Sequence, residues 1–375
     1  MKFVVSSTAL LSHLQAISRV INTKNTIPIL DSFLFELKEN TLKMTASDGD
    51  TTLMTSMEVT EVEGSGKFAV AAKLLLDPLK EFSEQPLSFD INDDSIDIFI
   101  YFQNGKCNFI GQKGDDYPQM PELKGDKTSL SMSANYLMDG LNRTFFATGD
   151  DDLRPVMNGI YLDIKPDDVT FVATNGHKLV RFKYSDLKGN NESSFIIPKK
   201  PATLLRTILP KETGEAVIEF DDKNATITVS NFKMICRLVE GKFPNYNSVI
   251  PETSPFLVTV DRVNFMTAMK RVSIFANQGT CLVKLAMSEN NVTLTAQDID
   301  FSTSAEESVP CQYAGEEFSI GFKADFFIDL LNNLPASDIV IGLSDPSRAG
   351  TVVPLENEAN EDLLMLLMPM MLNDE

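Results

Sequence analysis

A chain of 375 residues with 43% hydrophobic side chains is long enough for two or three domains, each with its own core. Its formal net charge of −20 argues, taken whole, against a nucleic-acid binder, because phosphate contacts supply most of such affinity. Four cysteines with no CxxC pairing exclude a disulfide scaffold, and two histidines supply zinc poorly.

In chain order, Lys2–Ile21 reads as a short apolar strand running into an amphipathic helix, expected over Ser7–Lys24. A strand then reaches an acidic turn at Asp48, and Lys73 heads a second helix, Lys73–Phe82. Period-two alternation over Leu87–Phe102, with a turn at Asn92–Asp94, predicts an antiparallel hairpin before an apolar strand that ends at Pro118. The same order returns twice. Ser129–Thr148 holds the helix Asn135–Ala147, followed by a turn at Asn175, then Lys199 and Lys200 on the helix Pro198–Lys211. Alternation over Ala216–Phe232, with a turn at Asp221–Asn224, leads to Pro244. Phe256–Ala276 holds the helix Asp261–Phe275, followed by Asp298, Lys323 heading Lys323–Leu334, alternation over Asp338–Asp345, and Pro369.

The turn residues are 127 and 123 apart and the prolines 126 and 125 apart, so the repeat unit is a whole domain. Linkers at Pro121–Thr128 and Pro251–Pro255 divide the chain into 1–124, 125–250 and 251–375. Each unit is α+β, with helix pairs backing one face of antiparallel sheet.

The six expected helices carry thirteen basic and six acidic side chains, a surplus of +7, which leaves −27 on strands and loops. A plainer source of that surplus is that Lys and Arg are good helix formers, but this does not account for so acidic a remainder. Units joined edge to edge make an arc, with sheets outside and paired helices inside. Exposed strand edges are a liability, and two chains paired head to tail would close the arc into a ring. A basic bore inside an acidic skin suits surrounding an acidic rod.

Catalytic patterns fail. Gly64-Ser65-Gly66-Lys67 resembles the end of a phosphate loop, but Glu61 stands where its first glycine belongs and Phe68 where a magnesium-binding hydroxyl belongs. His177 follows Thr174-Asn175-Gly176, a turn with no nucleophile tied to it. Asp48, Asp50, Asp298 and Asp300 recur in one turn, which favours capping over metal ligation. No cofactor and no metal are expected. Cys107, Cys236 and Cys281 lie in apolar text and read as buried thiols. The stretch Leu363–Leu372 is about half a membrane span and is broken by Pro369; with no sustained apolar run before Ser6, a signal peptide is not expected, and the chain reads as cytoplasmic.

The triplicate layout, with Asn25–Leu30 (NTIPIL), Met157–Ile164 (MNGIYLDI), Ala173–Val180 (ATNGHKLV), Leu238–Tyr246 (LVEGKFPNY) and Leu367–Leu372 (LMPMML), resembles the bacterial DNA polymerase III β subunit, the replicative sliding clamp. The resemblance spans the whole chain. It implies three tandem clamp domains forming half of a closed ring, a head-to-tail homodimer around duplex DNA without sequence preference, and no catalysis. Its implied partners are the replicative polymerase, a clamp loader and other proteins bearing a short apolar-aromatic peptide. Carried over by position, the peptide pocket uses Arg154, Met157, Thr174, Gly176, His177, Leu179, Pro244, Val249, Leu366, Leu367, Met368, Pro369 and Met370. Adaptable methionines suit several peptides.

The resemblance also implies DNA contacts at Lys24, Lys73, Lys199 and Lys200, with Arg19 and Arg206 as further helical candidates, and an interface pairing the strand at Cys107 and Phe109 with Ile274 and Phe275 of a second copy. Departures are Pro155 and Val156 where tyrosines are common, Asn175 for an aspartate, Met371 for a basic residue, and Asn373–Glu375 past the usual end. The alternatives are an acidic protein-binding scaffold that never encircles DNA, and a hydrolase using His177.

Overall fold

The computed structural model describes residues 1–119, 121, 123–125 and 127–372. Glu122 and Asp126 of the first expected linker, and the tail Asn373–Glu375, lie outside the described residues. The first repeat runs β1 (Lys2–Ser6) into α1 (Ser7–Ser18), then β2 (Ser32–Lys38), β3 (Thr41–Ser47) and β4 (Thr51–Glu58). A short β5 (Thr60–Glu63) precedes β6 (Gly66–Ala71), which leads into α2 (Ala72–Glu81). β7 (Pro86–Ile91), β8 (Asp97–Phe102), β9 (Gly105–Ile110) and β10 (Gln112–Lys113) follow. The second repeat has β11 (Thr128–Ser133), α3 (Ala134–Phe145), β12 (Gly159–Ile164), β13 (Val169–Thr174) and β14 (Lys178–Tyr184). It continues with β15 (Ser193–Pro198), α4 (Lys199–Ile208), β16 (Glu215–Phe220), β17 (Asn224–Val229) and β18 (Phe232–Arg237). The third has β19 (Phe256–Asp261), α5 (Arg262–Ser273), β20 (Leu282–Ser288), β21 (Asn291–Asp298) and β22 (Thr303–Pro310). β23 (Phe318–Lys323), α6 (Ala324–Asn332), β24 (Asp338–Leu343), β25 (Gly350–Pro354) and β26 (Glu361–Leu367) complete it.

Every repeat is therefore strand–helix–hairpin strands, twice over, and the local chemistry repeats with it. The first helix of each is capped by a side-chain oxygen accepting the N–H three residues on: Ser6 from Ala9 (3.1 Å), Ser133 from Tyr136 (3.2 Å) and Asp261 from Asn264 (2.7 Å). The expected acidic turns are Asx turns. Asp48 Oδ1 accepts from the N–H groups of Asp50 and Thr51, Asn175 Oδ1 from His177 and Lys178, and Asp298 Oδ1 from Asp300 and Phe301. These carboxylates and the amide hold backbone, which is the capping role expected of them. Asn175 does it as well as an aspartate because the turn uses only one side-chain oxygen.

Five of the six helices are shorter than expected, and α2 keeps its expected length, shifted by one residue. α1 stops at Ser18, where the N–H groups of Val20 and Ile21 fold onto Ile17 and Ser18 in a tightened last turn. β-branched and Asn residues at 20–23 then offer nothing to extend it. α4 stops at Ile208, and Pro210 sits in a 3₁₀ turn, Leu209–Lys211. With these ends the six helices hold nine basic and five acidic side chains, so the surplus falls from +7 to +4. Cys236 is fully buried, with its thiol pushed up to about 12 by burial, as expected of a core cysteine. Cys107 and Cys281 are only partly buried, and Cys281 lies in a turn at positive φ rather than in a strand.

The chain folds into two compact units. Residues 1–138 with 203–238 form the first, whose sheets run β5-β1-β7-β8-β9 and β10-β6-β2-β3-β4-β18-β17-β16-β11. Residues 139–202 with 239–375 form the second, with sheets β15-β12-β13-β14-β26-β25-β24-β19 and β22-β21-β20-β23. All ladders are antiparallel. The hairpins of the middle repeat extend their neighbours' sheets, β18 pairing with β4 through Phe232 and Thr55, and β14 with β26 through Leu179 and Leu366. Stacked aromatics such as Phe3 on Phe89 (4.7 Å) and Phe35 on Phe68 (5.0 Å) fill the cores, each buried ring contributing about 1.5–3 kcal/mol.

In the first unit, His13 on α1 bonds Thr55 Oγ1 through Nδ1 (2.7 Å) and stacks on Phe232 at 6.0 Å. Burial lowers its pKa from the ordinary value, with Glu212 opposing. The unfolded chain therefore binds a proton here before the folded one does, and stability is lost as pH falls below about 6.5. Urea denaturation between about pH 7 and pH 5 should show a steeper loss for the wild type than for His13→Gln; parallel curves would remove His13 from the acid response.

Candidate functional site

The expected pocket residues all belong to the second unit. Three stretches far apart in sequence are brought together by the β14–β26 ladder, in which Leu179 pairs with Leu366 and Lys178 with Leu367. Leu179 and Leu366 are buried in one cluster with Val172, Ile196, Phe243 and Tyr246, and Val156, Tyr161 and Ile250 pack against it. Tyr161 stacks on Phe243 at 4.6 Å, and Tyr246 donates to Asp163 (2.7 Å). These contacts make a rigid apolar floor. Leu367 is fully buried, whereas Pro244, Val249 (50% exposed) and Met368 (44%) reach solvent.

Beyond β26 the chain is pinned on alternate residues. Met368 N–H donates to His177 O and Met370 N–H to Gly321 O, both at 2.8 Å. Pro369 between them has no N–H to place. On the opposite side, Arg154 ends the acidic loop 149–153, and its Nε donates to Asp151 Oδ2 (2.8 Å). That bond holds the Asp151 carboxyl below its ordinary range. Arg154 also lies against the turn at Gly176, where φ is +88° and an added Cβ would meet Nη1 at 2.8 Å. The backbone conformation there favours glycine, whereas the tip of Arg154 is a flexible end that could shift aside. Thr174 Oγ1 donates to Lys178 O and accepts from Gly176 N–H, which completes the turn that presents His177. Met157 sits half-buried at the end of the short 3₁₀ turn that follows Arg154.

Sequence reasoning missed the support beneath His177. Lys178, 5% exposed, pairs with Asp329 Oδ2 at 2.6 Å. Its ammonium lies 5.2 Å from the Phe146 ring and 5.3 Å from the Phe326 ring. Phe326 also stacks on His177 (5.7 Å) and carries Lys323 over its face (5.0 Å). Lys178 opens β14 and is followed by the buried Leu179 and Val180, but no sequence pattern names its partners.

The basic candidates fall as follows. Arg19 caps α1 and, like Lys24 beyond it, is exposed; Lys73 is the exposed second residue of α2. Lys199 and Lys200 open α4 half-exposed, and Lys199 pairs with Asp150 at 3.0 Å. Arg206 is half-buried, and burial holds its guanidinium below the ordinary range. An open cleft of about 530 Å³ between the ends of α1 and α2 is lined by Asn22, Thr23, Lys73 and Lys80. Cys107 and Phe109 share the half-buried face of the edge strand β9, while Ile274 (77% exposed) and Phe275 (40%) follow α5.

Lys178→Ala should cost about 1–3 kcal/mol in chemical denaturation, because it removes a half-exposed ion pair with Asp329 and two ring contacts. Lys178→Met, which keeps the apolar stem, should recover part of that loss. Equal stability of the wild type and the Ala variant would show that the cluster contributes nothing.

Comparison with known proteins accounts for the triplication. Family models for the DNA polymerase III β subunit match in tandem: the N-terminal domain over residues 1–121, the central domain over 131–245 and the C-terminal domain over 247–371. The β sliding clamp of Synechococcus elongatus is 28% identical over 95% of this chain and 96% of its own length. That of Pseudomonas putida is 26% identical over 99% and 100%. A crystal structure of a sliding clamp from Pseudomonas aeruginosa bound to griselimycin superposes with a TM-score of 0.93 at 25% identity, covering 99% of this chain and all of that one. With the same strand–helix order met three times and a family model on each, the chain belongs to the DNA polymerase III β-subunit family.

Proposed function

We propose that two copies of this chain close head to tail into a ring around duplex DNA and tether the replicative polymerase for processive synthesis. The chain is a sliding clamp and catalyses no reaction of its own. The observation that carries the encircling geometry is the position of its lysines. Lys73 is the second residue of α2, Lys199 and Lys200 open α4, and Lys323 is the N-cap residue of α6. A cation at a helix N-terminus opposes the helix dipole by about 0.3–1 kcal/mol. α2 and α6 also lack a side-chain cap, although the first N–H of α6, that of Ala324, already donates to Cys281 O. A phosphate at those ends turns the opposition into attraction.

In this reading Lys24, Lys73, Lys199, Lys200, Arg19 and Arg206 face the duplex through phosphate alone, which permits sliding. The paired helices line the bore and the acidic strands and loops form the skin. The clamp domains divide near residues 124 and 250. The strand at Cys107 and Phe109 meets Ile274 and Phe275 of the second copy. Partners insert an apolar-aromatic peptide between Arg154, His177 and the methionines after β26, above the floor made by Leu179 and Leu366. A clamp loader opens the ring, and the cytoplasm is its setting.

Loaded on a nicked circular plasmid, the protein should stay bound through gel filtration and leave once the plasmid is linearised. Retention that ignores linearisation would rule out encirclement. Lys199→Glu with Lys200→Glu should cut retention about tenfold and flatten the logarithmic salt slope by about 2. Removing Met368–Leu372 should weaken binding of a polymerase-derived peptide at least about tenfold, as expected when an adaptable apolar wall is lost, and leave the dimer mass unchanged. Unaltered peptide affinity would move the site elsewhere.

A further inference from the structure

The sequence holds three Asn–Gly pairs, Asn104–Gly105, Asn158–Gly159 and Asn175–Gly176. An asparagine before glycine can lose its side-chain ammonia, because glycine has no Cβ to keep its nitrogen away from the amide carbon. The fold treats the three pairs differently. Asn158 is tied at both ends of its amide, with Oδ1 accepting the Asp151 N–H and Nδ2 donating to Asp151 O, each at 3.0 Å. Gly159 after it is buried on β12 opposite Pro198, where an added Cβ would already collide with Ile197 O. Asn175 is held by its Asx turn, Oδ1 accepting the His177 and Lys178 N–H groups, both at 2.9 Å. The Gly176 N–H is itself engaged, donating to Thr174 Oγ1 at 3.1 Å. Asn104 has no such hold. It lies with Gln103 in the two-residue turn between β8 and β9, and both it and Gly105 are exposed. Among the described residues its side chain makes no hydrogen bond, whereas Gln103 beside it donates its N–H to Gln85 Oε1 at 3.0 Å.

We infer that Asn104 is a site of spontaneous covalent modification, the residue at which the folded chain converts amide to acid, and that the same fold shields Asn158 and Asn175. The Gly105 nitrogen, after giving its proton to solvent base, attacks Cγ of Asn104. The N–Cγ bond forms as the Cγ–Nδ2 bond breaks, and Nδ2 takes a proton from water and leaves as ammonia. Water then opens the five-membered imide at either carbonyl, giving aspartate or isoaspartate with no other reactant. At Asn158 or Asn175 the amide carbon must swing toward the glycine nitrogen, which first breaks two hydrogen bonds. Loop tips with small polar residues are where such change concentrates, and the β8–β9 tip is one. Either product adds a negative charge two residues from Lys106. Isoaspartate also routes the main chain through the side-chain carbon, adding one methylene to a turn that sets Phe102 opposite Gly105. Within the chain β9 pairs only with β8, so a slip of that register leaves it no second ladder to hold it.

Peptide mapping by mass spectrometry of the full chain, aged in mildly alkaline buffer, tests the assignment. The peptide holding Asn104 should gain acid forms about tenfold to a hundredfold faster than those holding Asn158 and Asn175, the ratio expected when hydrogen bonds must open first. In urea the three rates should converge, because each asparagine then has the same glycine neighbour and no fold around it. Asn104 staying amide in the folded chain, over the time the urea sample takes to convert, overturns the proposal. So do three equal rates in the folded chain. Asn104→Gln, which puts one more methylene between the reacting groups, should abolish acid formation at that position. Its thermal midpoint should match wild type, since the side chain is exposed. In the isolated isoaspartyl form, the amides of β8 and β9 should exchange with solvent faster than in unaged protein. Exchange at the unaged rate would overturn the register slip and leave the site standing.

Discussion

Unpaired backbone at the edge of a sheet is the constraint around which this molecule is arranged. A strand offers hydrogen bonds on both sides, and an edge left open invites any other strand to pair with it. Three copies of one domain in a row bring many such edges. The chain removes four by joining β4 to β18 and β14 to β26, so that the middle repeat has no independent sheet of its own. Among the described residues, the edges that remain are β5 and β10, which are short, β11, β15, β19 and β23, which lead into helices, and β9 and β22, which do not and carry opposite charge. Proposing a closed dimer requires little beyond asking where those two edges go.

Net charge is the wrong scale for judging what such a ring surrounds. At physiological salt the field of an exposed charge is screened over about 8 Å, so an acidic strand on one face does little to a phosphate facing helices on the other. Local sign decides. Even there the margin is thin, because the helices hold only nine basic against five acidic side chains, and Lys199 already pairs with Asp150. A weak, distributed attraction is what sliding needs, since a deep well at any one register would stop it.

Much of this was legible in the residues, and what was not has definite physical causes. The N-cap and Asx-turn positions repeated in sequence because each is a local bargain between one side-chain oxygen and its own backbone, which needs no knowledge of the fold. Helix ends were read too long at Lys24 and Lys211, because basic residues are good helix formers and conceal where the last turn tightens or where Pro210 acts. The support for His177 could not be read at all. Lys178, Phe146, Phe326 and Asp329 meet only after β14 has paired with β26, and contacts between distant segments leave no periodic trace.

The proposed pocket combines two physical regimes. The floor is core: Leu179 and Leu366 are locked among stacked rings, where a change of one methylene is felt. The rim, Met368, Pro369 and Met370, lies past the strand end and is held by two backbone bonds. Pro155 and Met371 belong to the rim or to the loop beside it, whereas Val156 packs against the floor. In the proposed pocket, the rigid floor would read the apolar anchor common to the partners, and the adaptable methionines of the rim would discriminate among them.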